Sequence, residues 1–167
     1  SDSWYKVDNV AKVFLATTSQ RDPRVFRISR TLHEEIDPDT LNEALRSTAQ
    51  EWPQFQVTLH RGLFWHYFES TDQLPTAQPE TKAPCAPLYT PERRNKLIYR
   101  VTYFGARINL EMFHAITDGN GGLLYLKSIV RNYLALRHPG EMENVPSPNS
   151  ASAGDMAQDS FRNFYEG

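Results

Sequence analysis

Phe113-His114-Ala115-Ile116-Thr117-Asp118-Gly119-Asn120-Gly121-Gly122 joins two patterns of different period. Before it, Arg107 to Phe113 alternates, and period two puts Ile108, Leu110, Met112 and His114 on one face of a strand. After it, Leu123, Leu126, Ile129, Val130, Tyr133, Leu134 and Leu136 make a broad apolar face at helical spacing, from Gly122 to Arg137. A histidine at a strand end is held at a fixed place, and the glycines behind it permit a sharp turn and a close approach by other groups. The His-x-x-x-Asp-Gly spacing therefore has a chemical reading, with His114 as a general base and Asp118 as the anchor of the turn. The partial positive charge of the helix N-terminus would face that turn. Alternation alone supports a plainer reading, in which His114 continues the apolar row as a core histidine satisfied by a backbone carbonyl.

Working outward, Leu97 to Phe104 and Arg107 to Phe113 read as a hairpin around Gly105-Ala106, where a leading glycine fits a type II′ turn. Asp37-Pro38 starts a helix, with aspartate at the N-cap and proline at the first helical position. Leu41, Ala44, Leu45, Thr48, Ala49 and Trp52 form its stripe, and Pro53 ends it. Gln54 to His60 alternates, with Phe55, Val57 and Leu59 on one face, and Leu63 to Glu69 returns as its hairpin partner after Arg61-Gly62. Val10 to Ala16 and Val25 to Leu32 read as strands, the second with Phe26, Ile28 and Leu32 on one face and with Arg27 and Arg30 solvated or paired. Ser70 to Asn95 contains Pro75, Pro79, Pro84, Pro87 and Pro91 with little periodicity. A loop of that length is functional or mobile, and it either borders a substrate opening or is a plain excursion. Met142 to Gly154 reads as linker, and Asp155 to Tyr165 as a weak amphipathic helix through Met156, Phe161 and Phe164.

Composition narrows the classes. The 167 residues are 40% hydrophobic and 12% aromatic, enough for one core, so one domain or one lobe is expected. A net charge of -2 gives no general basic footprint for nucleic acid. Cys85 is the single cysteine, which excludes an internal disulfide framework and a Cys-rich zinc site. It has no activating neighbour in the sequence, which argues against a catalytic thiol. His60 and His66 lie on strands without a third ligand at a recognisable spacing, so no metal site is expected. No apolar run is long enough for a transmembrane segment, and a cytoplasmic, reducing location is the expectation.

His114-Ala115-Ile116-Thr117-Asp118-Gly119, with the Ile36-Asp37-Pro38 helix start, the helix reaching Trp52-Pro53 and the strand hairpin, resembles the N-terminal lobe of the CoA-dependent acyltransferase superfamily. That group includes chloramphenicol acetyltransferase, condensation domains of peptide synthetases and microbial alcohol acetyltransferases. The resemblance runs from Val10 to Arg137 and is strongest toward an alcohol acetyltransferase. Condensation domains usually carry two adjacent histidines, and Phe113 stands in the first place here. The resemblance implies an α/β two-layer sandwich with a mixed, largely antiparallel sheet carrying helices. It implies His114 as the catalytic base. Asp118 would be a structural aspartate paired with an arginine, and Gly119 a residue permitting a turn that a side chain would obstruct. Arg24, Arg27, Arg30, Arg100 and Arg107 are all candidate partners of Asp118. The co-substrate implied is an acyl-CoA, most simply acetyl-CoA, with a small hydroxyl acceptor and no permanently bound cofactor. Residues 1–138 would form the lobe, and 139–167 a tail leading toward a second lobe absent from this chain. A lobe without its partner is expected to self-associate and to be inactive. The alternative is a catalytically degenerate acyltransferase-like domain that binds a carrier or partner.

Overall fold

The computed structural model of the chain describes residues 25–63, 66–88, 90, 93, 95–117 and 119–141. The strand expected over Val10 to Ala16, the linker from Met142, the helix expected over Asp155 to Tyr165, and Asp118 lie outside the described residues. The described chain is α/β. Its strands are β1 (Val25–Thr31), β2 (Val57–Arg61), β3 (His66–Ser70), β4 (Gln78–Pro79), β5 (Tyr99–Phe104) and β6 (Arg107–Phe113). Its helices are α1 (Pro38–Glu51) and α2 (Gly119–Arg137), and Pro53–Phe55 and His114–Ile116 form 3-10 turns. Four strands make a mixed sheet in the order β1-β6-β5-β4, with β6 antiparallel to both neighbours and β4 parallel to β5. β2 and β3 form a separate hairpin, tied to the chain ahead of β5 by a bridge between Thr58 and Leu97.

Local chemistry explains the elements. Asp37 caps α1 by accepting from the backbone N–H of Thr40 at 3.0 Å, and Pro38 occupies the first turn. The stripe Leu41, Ala44, Leu45, Thr48 and Ala49 is buried. At Pro53 the helix gives way to a 3-10 turn, so β2 starts at Val57 rather than at Gln54. Gly105 has a φ of 57°, while Ala106 stays out of the left-handed region, as the type II′ reading of the β5–β6 turn requires. α2 begins at Gly119, earlier than the apolar periodicity marks.

The core centres on Tyr125. Its ring meets Trp52, Phe55 and Tyr99 edge-on at 5.5, 5.1 and 5.3 Å between centroids. Its hydroxyl donates to Tyr99 Oη at 2.9 Å and accepts from Gln56 Nε2 at 3.2 Å, and Tyr99 Oη donates to Gln56 Oε1 at 2.7 Å. The Trp52 indole N–H donates to Ser128 Oγ at 3.1 Å. Burial pushes the Tyr125 phenol up to about 12, and burial also raises Tyr99, so both remain neutral donors at ordinary pH.

The two faces of the sheet differ. Phe26 and Ile28 face the first turn of α2, and the register carries that face on to Met112 and Leu110. On the opposite face Arg27, Glu111 and Arg100 stand in one row, and Ser29, Asn109 and Thr102 in the next. Alternation alone would give that face to solvent, yet Glu111 is only 2% exposed. It accepts from Arg27 Nη2 at 3.2 Å and from the backbone N–H of Cys85 at 3.1 and 2.9 Å, with Arg100 Nε 3.7 Å away. Glu80 accepts from Arg27 Nη1 and from Arg107 Nη2, each at 2.6 Å. Arg100 also donates to the Ala86 carbonyl. The proline-rich segment is therefore not a plain excursion over this stretch. It supplies β4 and then covers the polar face through Glu80, Cys85 and Ala86.

The bond from Arg27, and then that from Arg107, hold the Glu80 carboxyl below the usual carboxylate range. A depressed folded-state value means stability that is present above the unfolded value and is lost as pH falls through the folded one. Glu80→Gln should therefore lower Tm near neutral pH, and the wild-type and variant curves should converge on acidification. Thermal denaturation of both proteins across a pH series reads this, and a Tm difference independent of pH would remove the charge of Glu80 from the clamp.

Candidate functional site

His114 sits one residue beyond β6. Phe113 ends the strand, buried, with its N–H donating to the Ile98 carbonyl at 2.9 Å. The chain then enters the 3-10 turn, so the period-two argument stops there. Ala115 and Ile116 plug the core, while the His114 side chain is exposed. The core-histidine reading is corrected by this geometry: the imidazole leaves the apolar row because the strand ends before it. Among the described residues neither ring nitrogen makes a hydrogen bond, and the ring meets Phe26 edge-on at 5.5 Å with an interplanar angle of 74°.

The glycines behind His114 divide by role. Among the described residues no heavy atom lies within 4 Å of the Cβ position at Gly119, and its φ lies outside the left-handed region. The turn at Gly119 itself involves Asp118, which lies outside the described residues, so this open space does not decide the expectation for Gly119. A steric need for glycine falls on Gly121 and Gly122. A Cβ at Gly121 would stand 1.9 Å from Thr117 Oγ1, and one at Gly122 would stand 2.7 and 2.8 Å from Phe26 Cε2 and Cζ. The backbone of α2 thus rests directly on Thr117 and on the Phe26 ring. With α2 starting at Gly119, its partial positive end lies beside the turn that carries His114. Asp118, between them, is outside the described residues, as is Arg24. Of the other arginines considered for it, Arg27, Arg100 and Arg107 engage Glu80 and Glu111, and Arg30 is exposed.

The remaining candidates have local explanations. His60 Nε2 is 2.6 Å from Thr58 Oγ1 and 3.1 Å from Glu69 Oε2, and its ring stacks on Tyr67 at 5.4 Å. That is a cross-strand cluster on β2–β3. Cys85 has a φ of 56° and holds Glu111 through its backbone. Among the described residues no group of three His, Cys, Asp or Glu side chains could hold a metal, and no helix is long and apolar enough to cross a membrane. Phe26 is the site residue that the sequence reading missed as such. Its only signal was its place in the apolar row of β1.

No family model matches the chain, and no curated protein matches it. Solved structures do. The chain is similar to the SgcC5 protein from Streptomyces globisporus, with 16% identity and a TM-score of 0.64 over 92% of this chain and 42% of that one. It is similar to the X-domain from teicoplanin biosynthesis, with 13% identity and a TM-score of 0.61 over 94% of this chain and 38% of that one. It is similar to the starter condensation domain of rhizomide synthetase RzmA, with 14% identity and a TM-score of 0.54 over 76% of this chain and 36% of that one. The chain therefore has the fold of one part of these condensation-like proteins. It spans about two fifths of the length of these matched chains.

The approach of α2 is testable. Gly121→Ala should cost about 1–3 kcal/mol of stability through overpacking against Thr117. Thr117→Ala in the same chain should return most of the loss, because it deletes the atom in the way. A double-mutant cycle in denaturant measures the coupling, and strictly additive effects would contradict the contact.

Proposed function

We propose that this chain is the base-bearing lobe of an acyl-CoA-dependent O-acyltransferase, most like an alcohol acetyltransferase, that transfers an acetyl group to a small hydroxyl acceptor. One observation carries the reading: an exposed imidazole just outside β6, with both nitrogens unengaged among the described residues, beside the start of α2. The neutral ring takes the acceptor's hydroxyl proton as the oxygen attacks the thioester carbonyl. A C–O bond forms, the C–S bond breaks, and the imidazolium returns its proton to the departing CoA thiolate. The products are an ester and free CoA. Asp118 is assigned the anchoring of the turn through an arginine, and Gly119 stays with it as part of the motif. Acyl-CoA is a co-substrate here and leaves no permanently bound cofactor. A cytoplasmic location follows from that co-substrate and is part of the proposal.

His114→Ala should lower acyl transfer by about a hundredfold to ten-thousandfold, the usual contribution of a positioned general base. Release of free CoA thiol from acetyl-CoA by the full-length gene product, over a panel of alcohols, measures it. Turnover unchanged by the substitution would remove His114 from the role.

The chain spans about two fifths of its structural matches, which supports a division into a lobe, 1–138, and a tail, 139–167, leading to a second lobe that completes the channel. One wall positions two substrates poorly, and positioning is a large part of catalysis. The isolated 167-residue chain is then expected to fold, to self-associate and to turn over essentially no acetyl-CoA. Sedimentation over a concentration series, with the thiol assay on the same sample, checks this. A monomer with ordinary enzyme turnover would overturn the two-lobe proposal. A second reading is a degenerate lobe that holds a partner protein. The X-domain, similar in fold, is known in complex with OxyB, which supports that reading. CoA binding by the full-length product without turnover of any acceptor would favour it.

A further inference from the structure

A general base works only if its ring plane is fixed, because reaction requires alignment as well as reach. Catalytic histidines are usually oriented by a hydrogen bond at the nitrogen that does not face the substrate. At His114 no such bond exists among the described residues, and the turn leaves the side chain exposed. What the ring does have is the edge contact with Phe26 at 5.5 Å and 74°. Phe26 in turn is fixed from two sides. Its backbone pairs with Met112 across β1 and β6, two residues before the base. Its ring tip lies where the missing side chain of Gly122 would be. The sequence of contacts runs from the α2 backbone at Gly122, through the Phe26 ring, to the His114 imidazole.

We propose that Phe26 is the positioning residue of His114, setting the imidazole plane by aromatic packing. The assignment of a role in catalysis rests on the reading of His114 as the base. Among the described residues the packing contact engages neither imidazole nitrogen in a hydrogen bond. A nitrogen left this way can take the acceptor's proton and return it to the thiolate while the ring stays packed. It also explains why α2 carries a glycine at 122, since any side chain there would push the Phe26 ring and the base with it.

The test has one arm independent of activity. In NMR of the 167-residue chain, with the His114 ring signals assigned by their loss in His114→Ala, nuclear Overhauser contacts should join the Phe26 and His114 rings. The ring-current displacement of the His114 protons should disappear in Phe26→Leu, persist in Phe26→Tyr and change in Gly122→Ala. In the CoA-release assay on the full-length product, Phe26→Leu should lower kcat by about tenfold to a hundredfold with little change in KM. Phe26→Tyr should restore it. Absent ring-to-ring contacts in the wild type, or His114 signals unmoved by Phe26→Leu, would overturn the proposal without any variant having to be active. Equal loss of kcat in Phe26→Leu and Phe26→Tyr, tracking a fall in Tm, would reduce Phe26 to a packing residue. Should His114→Ala leave turnover intact, the base assignment fails, and the NMR arm still decides whether Phe26 fixes the ring.

Discussion

Tyr125 is the residue on which the arrangement depends. A phenol taken out of water without partners costs several kcal/mol, so its hydroxyl restricts the positions open to its neighbours. Gln56 and Tyr99 satisfy that hydroxyl, and they come from the turn after α1 and from β5. Trp52 and Phe55 close around the ring. One side chain on α2 thus locks the end of α1, the entry to β2 and the start of β5 in a single geometry. Because α2 is rigid, the lock also fixes its first turn, and with it the close approach of Gly121 and Gly122 to Thr117 and Phe26. The position of the exposed His114 imidazole is a consequence of a buried hydrogen-bonded aromatic cluster.

The other face of the sheet is held by charge. Glu111 is enclosed, and an enclosed carboxylate is tolerable only when its oxygens are met by donors. Arg27 and the Cys85 amide meet them, and Glu80 balances Arg27 and Arg107 from above. Such a network contributes less to net stability than an apolar layer would, but its geometry is directional. It holds the proline-rich segment, which has few periodic apolar residues to bury, at a defined place on the sheet. The strand that precedes His114 therefore has a packed apolar layer on one side and an ionic clamp on the other, and it can present His114 at its end without fraying.

The surroundings of His114 are sparse compared with the rest of the molecule. The helix start supplies partial positive charge, Phe26 supplies an edge, and no acidic orienter is seen among the described residues. This is the arrangement in which a small change in the backing ring would be felt most at the imidazole.

Among the described residues the sequence alone determined both helices, five of the six strands and their order, while β4, inside the proline-rich segment, was not legible. The capped start at Asp37-Pro38, the stop at Pro53, the glycine turn at 105 and the switch from period two to helical spacing around His114 are local effects, decided by backbone sterics and by which face is apolar. The α/β class and the resemblance of the His114 stretch were legible for that reason. Tertiary structure decided what depends on partners distant in the chain. Glu111 reads as a solvent-facing residue until Cys85 and Arg27 arrive over it. His114 reads as part of an apolar row until the strand ends at Phe113. The requirement for glycine at 121 and 122 arises because the Thr117 and Phe26 side chains occupy that space. Periodicity records which way a side chain leaves its own element, but it carries no information about what the rest of the chain places there.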